Sequence, residues 1–307
     1  MSKKISSFLF YQVWHLPHAG DSEKMYEDSY FPEGLFSEFL SRRLFRFAVA
    51  DGVSGAYFSG RWAKLLTNTF VRDGSQFIEN NDYLQQLASD WEREEEKRLT
   101  ESKYDEKIQE YLFNKIHDTG GAATFNGLQI IAKSAEWSSI AVGDACFFQI
   151  RDHKIISQNP SLNAEEFNDW PDQISTLPNV DFHPHITRSY GTYLIGDCFF
   201  LATDSLACWL VSSFPEFSFE DKIKRLLSIN SSNDFLEFIT KERDSGRLKD
   251  DDVTLSIIKL SPRRLFSPSF NQTYKPRYYR NNKYHITRIP TNLNISAGHN
   301  DMGNDKL

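Results

Sequence analysis

The chain has 307 residues, 40% of them hydrophobic and 25% charged, a balance typical of a globular protein. A formal net charge of −7 at pH 7 excludes a surface that coats nucleic acid or anionic membrane throughout. The three cysteines, Cys146, Cys198 and Cys208, show neither CxxC pairing nor zinc-finger spacing and read as reduced thiols of a cytoplasmic protein.

The N-terminal MSKKISSFLFYQVWHLPH carries two lysines, but its apolar stretch is broken at Gln12, His15 and His18, too early for a signal peptide. No run reaches the roughly 18 apolar residues needed to cross a bilayer, so no membrane association is expected. Leu44 to Ala50 (LFRFAVA) predicts a buried strand that stops at Asp51-Gly52. Trp62, Leu65, Leu66 and Phe70 then recur at helical spacing over 56–70, and the helical pattern persists over 77–117. Within it, EREEEKR reads as a solvated helical face or the link between two helices. Extended runs follow at 124–132 and 137–142, then a Gly143-Asp144 turn, ACFFQIRD, and a hairpin tip at Asp152-His153. Residues 159–190, rich in Pro, Asn, Asp and His and without a period, predict a long surface excursion. Two strand-like runs hinged at Gly196-Asp197 occupy 193–203, two helices are expected around 205–211 and 219–239, and 253–260 is a last apolar strand.

This order of strands, helices, strands, helices and strand implies a layered α+β domain ending near Ser261. Residues 262–307 differ: they interleave Arg and Lys with Tyr and hold no acidic residue before Asp301. Their composition argues against independent folding. Packing on the acidic domain or an extended state is the favoured reading, with an acidic partner as the next and nucleic acid the least favoured.

Four acidic points sit at strand ends or turns: Glu27-Asp28, Asp51, Asp204, and the run Asp250–Asp252. A carboxylate at the end of a buried strand is desolvated, and several together repel one another. A hard divalent cation answers both problems, since Mg²⁺ and Mn²⁺ prefer oxygen ligands. Taken singly, each has a plainer reading: Asp51-Gly52 is a common turn dipeptide, Asp204 is placed to cap a helix, and the others suit solvated loops.

In order, however, these points resemble the metal-dependent protein phosphatases of the PPM, or type 2C, family. YED at 26–28 matches the family's NED, and FAVADGVSG at 47–55 its ADGxGG. GGAAT at 120–124 matches GGAT, and AVGDACFFQIRD at 141–152 the VGDSRxYxxRxG hairpin. FFLATDSL at 199–206 and DDDVTLSIIKL at 250–260 complete the series. The resemblance covers about Gly20 to Leu260. It implies a four-layer α-β-β-α sandwich with two central, mainly antiparallel sheets flanked by helices, within a phosphatase domain at 1–261. It also implies two Mn²⁺ or Mg²⁺ ions. Asp51 would bridge them, with the Gly52 carbonyl on the second ion and Asp204 and Asp251 on the first. Glu27 would reach the second ion, with Asp28 in support. Asp251 is preferred to Asp252, which stands where the family has Asn. The implied reaction is hydrolysis of phosphoserine or phosphothreonine in phosphoproteins by a water held between the metals.

Four positions depart from the pattern. Glu23 stands where members place a phosphate-gripping Arg, leaving Lys24 as the nearest cation. Val53 replaces a His found in some members, and Ser205 replaces a Gly. Cys208 stands where an acidic residue would join Asp144 around a third ion. These departures motivate an alternative, a pseudophosphatase that keeps fold and metal for binding or regulation. His183 and His185, in the long excursion, read as solvated loop residues.

Overall fold

The structure, a computed structural model, describes residues 7–23, 25–40, 44–167, 170–177 and 184–265. Lys24, His183 and nearly all of the C-terminal extension therefore lie outside the described residues. The chain opens with β1 (Phe8–Leu16), β2 (Ser29–Phe31), β3 (Phe36–Phe39) and β4 (Leu44–Gly52). Helices α1 (Ser59–Asp73), α2 (Gln76–Glu79), α3 (Asn81–Thr100) and α4 (Glu106–Asp118) follow. Next come β5 (Ala122–Ile131), β6 (Glu136–Val142), β7 (Cys146–Arg151), β8 (Lys154–Asn159), β9 (Ile174–Ser175), β10 (Thr187–Thr192) and β11 (Cys198–Ala202). Helices α5 (Asp204–Val211), α6 (Phe219–Leu227) and α7 (Ser232–Asp244) lead to β12 (Val253–Ser261).

The strands form two antiparallel sheets. One runs β3-β1-β12-β11-β7-β8, and the other runs β10-β6-β5-β4-β2 with β9 alongside β5. Side chains alternate across each strand, so each sheet buries two faces. Phe47, Val49, Leu128, Phe147, Phe199, Leu201 and Ile258 fill the space between the sheets. The opposite face of the β4–β5 sheet, through Ala48, Ala50 and Phe125, packs on α1–α3. The outer face of the β11–β12 sheet, through Phe200, Leu255 and Ile257, packs on α5–α7. The architecture is thus the expected α-β-β-α sandwich.

Several local expectations change. β1 lacks a readable alternation because its middle residues, Leu9 to Tyr11, are buried on both faces. The helix expected over 219–239 is two, because the Ser231 side chain accepts the Asp234 N–H and starts α7 afresh. EREEEKR lies inside α3, and its Glu95 is buried, bonded to Arg61 at 2.5 Å and to Arg98. The surface excursion contains β9 and begins β10, whose alternation of half-buried and exposed residues gives little hydrophobic signal. Residues 193–197 form a turn rather than a strand: Leu194 N–H donates to the Asp197 carboxylate at 2.9 Å, which Arg151 also grips. The Asp152-His153 hairpin tip is present, with both residues in the left-handed region at φ 51° and 59°.

The helical layer meets the β4–β5 sheet closely at Gly127, where a Cβ would fall 2.6 Å from the Phe70 ring. Gly127→Ala is therefore expected to lower stability by about 1–3 kcal/mol through overpacking, read as a fall in the urea midpoint at unchanged slope.

Candidate metal centre

Along the space between the sheets, the inward residues change character toward one end. On β4 they run Phe45, Phe47, Val49, and the next inward position is Asp51. On β5 the inward Ile130 and Leu128 give way to Asn126 and Thr124. On β12, Leu260 and Ile258 give way to Ser256 and Thr254, and β11 runs from Leu201 to Thr203 just beyond its end. Hydrocarbon thus passes through amides and hydroxyls to carboxylates. Asn126 anchors the transition, donating to the carbonyls of Ala145 (3.0 Å) and Asn159 (2.7 Å).

Asp51 pairs with Thr124 across the ladder, and Gly52 pairs with Ala123. Gly52 is required by contact: an added Cβ would meet the Glu27 carbonyl oxygen at 2.7 Å and the Gly60 nitrogen at 2.9 Å. The strand end, the Glu27 loop and the first turn of α1 are therefore in backbone contact. Ser59 joins them further, its single hydroxyl proton shared between the Glu27 carboxylate at 3.1 Å and the Val53 carbonyl at 2.8 Å.

Asp28 ties this corner to the other sheet. Its Oδ2 accepts from Thr203 Oγ1 at 2.9 Å and Thr254 Oγ1 at 2.7 Å, while Thr254 N–H donates to Thr203 Oγ1 at 2.9 Å. Because the Thr254 proton goes to Asp28, Tyr26 donates its phenol proton to Thr254. Asp252 is likewise a clamp: its carboxylate accepts the backbone N–H groups of His18 (2.8 Å) and Glu27 (2.6 Å). Asp251 faces differently, with Lys249 Nζ 2.9 Å from its carboxylate and 3.7 Å from that of Asp204. Asp204 is the first residue of α5 and bonds the next N–H, that of Ser205, at 2.5 Å. Ser205 adopts ordinary helical backbone in α5, so its position does not need glycine.

The electrostatics of the corner are unfavourable without a cation. Burial, then the charges of Asp28, Asp204, Asp144 and Asp251, push the Asp51 carboxyl well above its ordinary range. Asp204 is raised by burial and by Asp251, and Glu27 by burial and by Asp252. Burial and Asp204 push Asp144 up to about 7. Asp144 Oδ1, Asp28 Oδ1, Ser205 Oγ and Thr124 Oγ1 are buried with no hydrogen-bond partner among the described residues. Buried polar atoms of this kind need an explanation. An all-oxygen, strongly anionic donor set with orphaned acceptors fits Mg²⁺ or Mn²⁺ and does not fit a thiophilic ion.

The fold thus brings Glu27, Asp28, Asp51, Gly52, Asp144, Asp204 and Asp251 into one electrostatically coupled corner. The ligand atoms of Asp51, Asp204 and Asp251 do not all close to within 4.8 Å. Among the described residues the group that does so is Glu92, Glu96 and His117, on the surface of α3 and α4. Lys24 lies outside the described residues, and Glu23, beside it, is exposed within 3.4 Å of His15 Nε2. Cys208 is half-buried one turn after Asp204, its thiol 3.8 Å from the Ala164 carbonyl. His185 is exposed, 3.5 Å from Asp172. Sequence reasoning missed Ser59, Thr203, Lys249, Thr254 and the clamping role of Asp252. The two threonines carried a signal: alternation puts each on the inward face, where a hydroxyl must find a partner.

No protein-family model and no curated protein sequence matches the chain. Solved structures do. The catalytic domain of the serine/threonine protein phosphatase PstP in complex with two manganese ions is 14% identical, with a TM-score of 0.51 over 83% of this chain and 99% of that one. The Mycobacterium tuberculosis serine/threonine phosphatase PstP/Ppp is 16% identical, with the same score and the same coverage of both chains. RsbX in complex with magnesium is 17% identical, with a TM-score of 0.47 over 83% of this chain and 96% of that one. The chain has the fold of the PstP phosphatases.

The raised carboxyls set a sign for pH dependence. Asp144 holds its proton in the folded state up to about 7, whereas an unfolded aspartate loses it near 3.8. The folded state therefore binds more protons across that window, and metal-free stability falls as pH rises through it. Asp144→Asn is expected to raise the urea midpoint of the metal-free protein more at pH 7.5 than at pH 4.5, as paired denaturation curves would measure.

Proposed function

We propose that this chain is a divalent-metal-dependent phosphatase of the PPM, or type 2C, family that hydrolyses phosphoserine and phosphothreonine monoesters in proteins. The observation that carries this reading is the coupled carboxylate corner. Asp51 comes from one sheet, Asp204 and Asp251 follow and precede strands of the other, and Glu27 is pressed against Gly52 between them. A fold shared with a serine/threonine phosphatase solved with two manganese ions supports it. The proposed ligands are Asp51 and the Gly52 carbonyl, Asp204 and Asp251, and Glu27, with Asp144 toward a third position. Lys24, outside the described residues, is the proposed phosphate cation. The catalytic unit is taken as residues 1–261, acting in the cytoplasm. No helix among the described residues is long and apolar enough to cross a membrane.

Two divalent cations, when bound, supply charge neutralisation for a phosphoryl group and lower the pKa of water. The chain's own part is positioning. Thr203 and Thr254 hold Asp28, Asp252 holds the backbone at Glu27, and Ser59 orients the Glu27 carboxylate. With its carboxylates raised by burial and then by one another, the corner would shed protons on binding cations, so apparent metal affinity should rise with pH. Lys249 is a single tethered charge on Asp251, which metal at Asp204 and Asp251 must outcompete. Cys208 stands where a carboxylate would complete the Asp144 position, and that observation favours the second reading, a metal-binding pseudophosphatase.

The test is turnover of p-nitrophenyl phosphate and phosphothreonine peptides across a Mn²⁺ and Mg²⁺ series, beside calorimetric metal titration. Asp51→Asn should lower metal-dependent turnover by at least about 100-fold, the upper end of what losing a mere outer-shell partner costs, with an unchanged circular dichroism spectrum. Metal binding without turnover on any substrate selects the pseudophosphatase. Absence of metal binding removes both readings.

A further inference from the structure

A cleft of about 700 Å³ lies between the 15–33 segment and the first turns of α1, and Glu27 and Asp28 line it, so it opens onto the carboxylate corner. We propose that this cleft receives a basic side chain flanking the phosphorylated residue of the substrate, with Glu23 as the anion that selects it. The inference rests on the phosphatase reading and deepens it: the substrate class becomes phosphoserine and phosphothreonine segments with a nearby Arg or Lys.

The charges of the cleft carry the argument. Among the described residues its lining holds, besides Glu27 and Asp28, three carboxylates, Asp21, Glu23 and Glu33, and two cations, Arg61 and Lys64. Both cations are answered inside the protein. Arg61 bonds the buried Glu95 at 2.5 Å and lies over the Phe58 ring at 4.3 Å, and Lys64 sits 3.4 Å from Glu33. Asp21 lies 3.9 Å from His18 Nδ1, and Glu23, its side chain 69% exposed, is the most exposed of the three carboxylates.

Glu23 is also held in place. His15 Nε2 lies 3.4 Å from its carboxylate, and Tyr30 Oη lies 3.1 Å from His15 Nδ1. With Tyr30 donating to Nδ1, the neutral imidazole carries its proton on Nε2, directed at Glu23. The imidazole is fixed by rings on two sides, Tyr26 at 5.2 Å and Tyr30 at 5.1 Å. A carboxylate set up this way faces a cation more readily than a phosphate, which it repels.

The rest of the lining suits the stem of such a cation. Met25 and Phe58 are exposed at 61% and 38% and offer apolar surface to methylene groups. Phe58 holds φ at 42°, a conformation costly for a bulky residue that turns its ring outward at the start of α1. Strain of this kind gathers at ligand-contacting positions.

The experiment uses phosphothreonine peptides of one length with Arg, Ala or Glu at the positions flanking the phosphorylated residue, assayed with the full chain and Mn²⁺. The expected kcat/KM ratio of Arg to Glu peptide is about tenfold, from a few partly exposed ion pairs of about two- to fivefold each, shrinking in 0.5 M NaCl by screening. Glu23→Gln should reduce the ratio to about twofold and Glu23→Lys should invert it, while Glu136→Lys, exposed at the opposite end of the β4–β5–β6 ladder from Asp51, leaves it unchanged. A wild-type ratio near one, or a ratio that survives Glu23→Lys, overturns the proposal. Fluorescence-anisotropy binding of the same peptides in unphosphorylated form gives a second readout with the same expected order. If wild type fails to turn over p-nitrophenyl phosphate, the phosphatase reading has failed, and the anisotropy order alone then decides for or against the cleft.

Discussion

Mutual repulsion among buried carboxylates at one end of the space between the sheets is the constraint on which this structure turns. Asp51, Asp204, Asp144 and Glu27 each sit where burial disfavours the ionised form, and each is worsened by its neighbours. Such a corner needs rigid surroundings that bring hydrogen-bond donors toward it. The inward residues supply this in steps, from Phe47 and Leu128 through Asn126 and Thr254 to Asp51. Carboxylates set directly against the aromatic core would lack the hydroxyl and amide donors that this intermediate band provides.

Rigidity comes from the way both sheets and one helical layer share the corner. Asp51 ends a strand of one sheet, Thr203 and Thr254 bound strands of the other, and Asp28 is bonded to both threonines. The approach of Gly52 to the Glu27 carbonyl and Gly60 leaves no room for the loop to slide. Groups placed on strand ends and fixed by a second layer of hydrogen bonds hold geometry better than groups on free loops. Of the acidic residues in this neighbourhood, Asp252 gives both carboxylate oxygens to this fixing and Asp28 gives its Oδ2. The run Asp250–Asp252 therefore divides its labour: Asp252 clamps backbone, Asp251 meets Lys249, and Asp250 pairs with Arg243 at 3.2 Å.

What was legible in the sequence follows from where burial is one-sided. β4 was readable because an apolar run stops abruptly at Asp51-Gly52, and β12 because DDD precedes VTLSIIKL. β1 was not, since burial of both faces at Leu9 to Tyr11 erases alternation, and Gln12 and His15 break its hydrophobicity. EREEEKR reads as solvated by composition, yet Glu95 is buried because Arg61 and Arg98 neutralise it, a tertiary fact that no local pattern carries. The order of the acidic blocks was readable in the same way, but their division into ligand-like and clamping residues was not. That division depends on which backbone N–H groups approach each carboxylate, and those of His18 and Glu27 reach Asp252 from more than 220 residues away.

Charge balance explains why the corner calls for more than its own cation. Taken as ionised, Glu27, Asp28, Asp51, Asp144, Asp204 and Asp251 carry six negative charges, and Lys249 returns one. Two divalent ions, the number proposed above, would offset four of the five that remain. Protons can also discharge the corner, which is what the raised carboxyls express, but only by giving up the oxygen lone pairs that make it a ligand set. An ammonium on a half-exposed stem reaches Asp251 and the near side of Asp204, and its charge also acts on Asp144, but it is one charge among many carboxylates. Hard divalent cations, compact and oxygen-seeking, answer both sides of the corner while leaving every carboxylate ionised. The same argument accounts for Cys208: a thiol adds no charge beside Asp144 and Asp204, so it lowers the number of cations the corner needs.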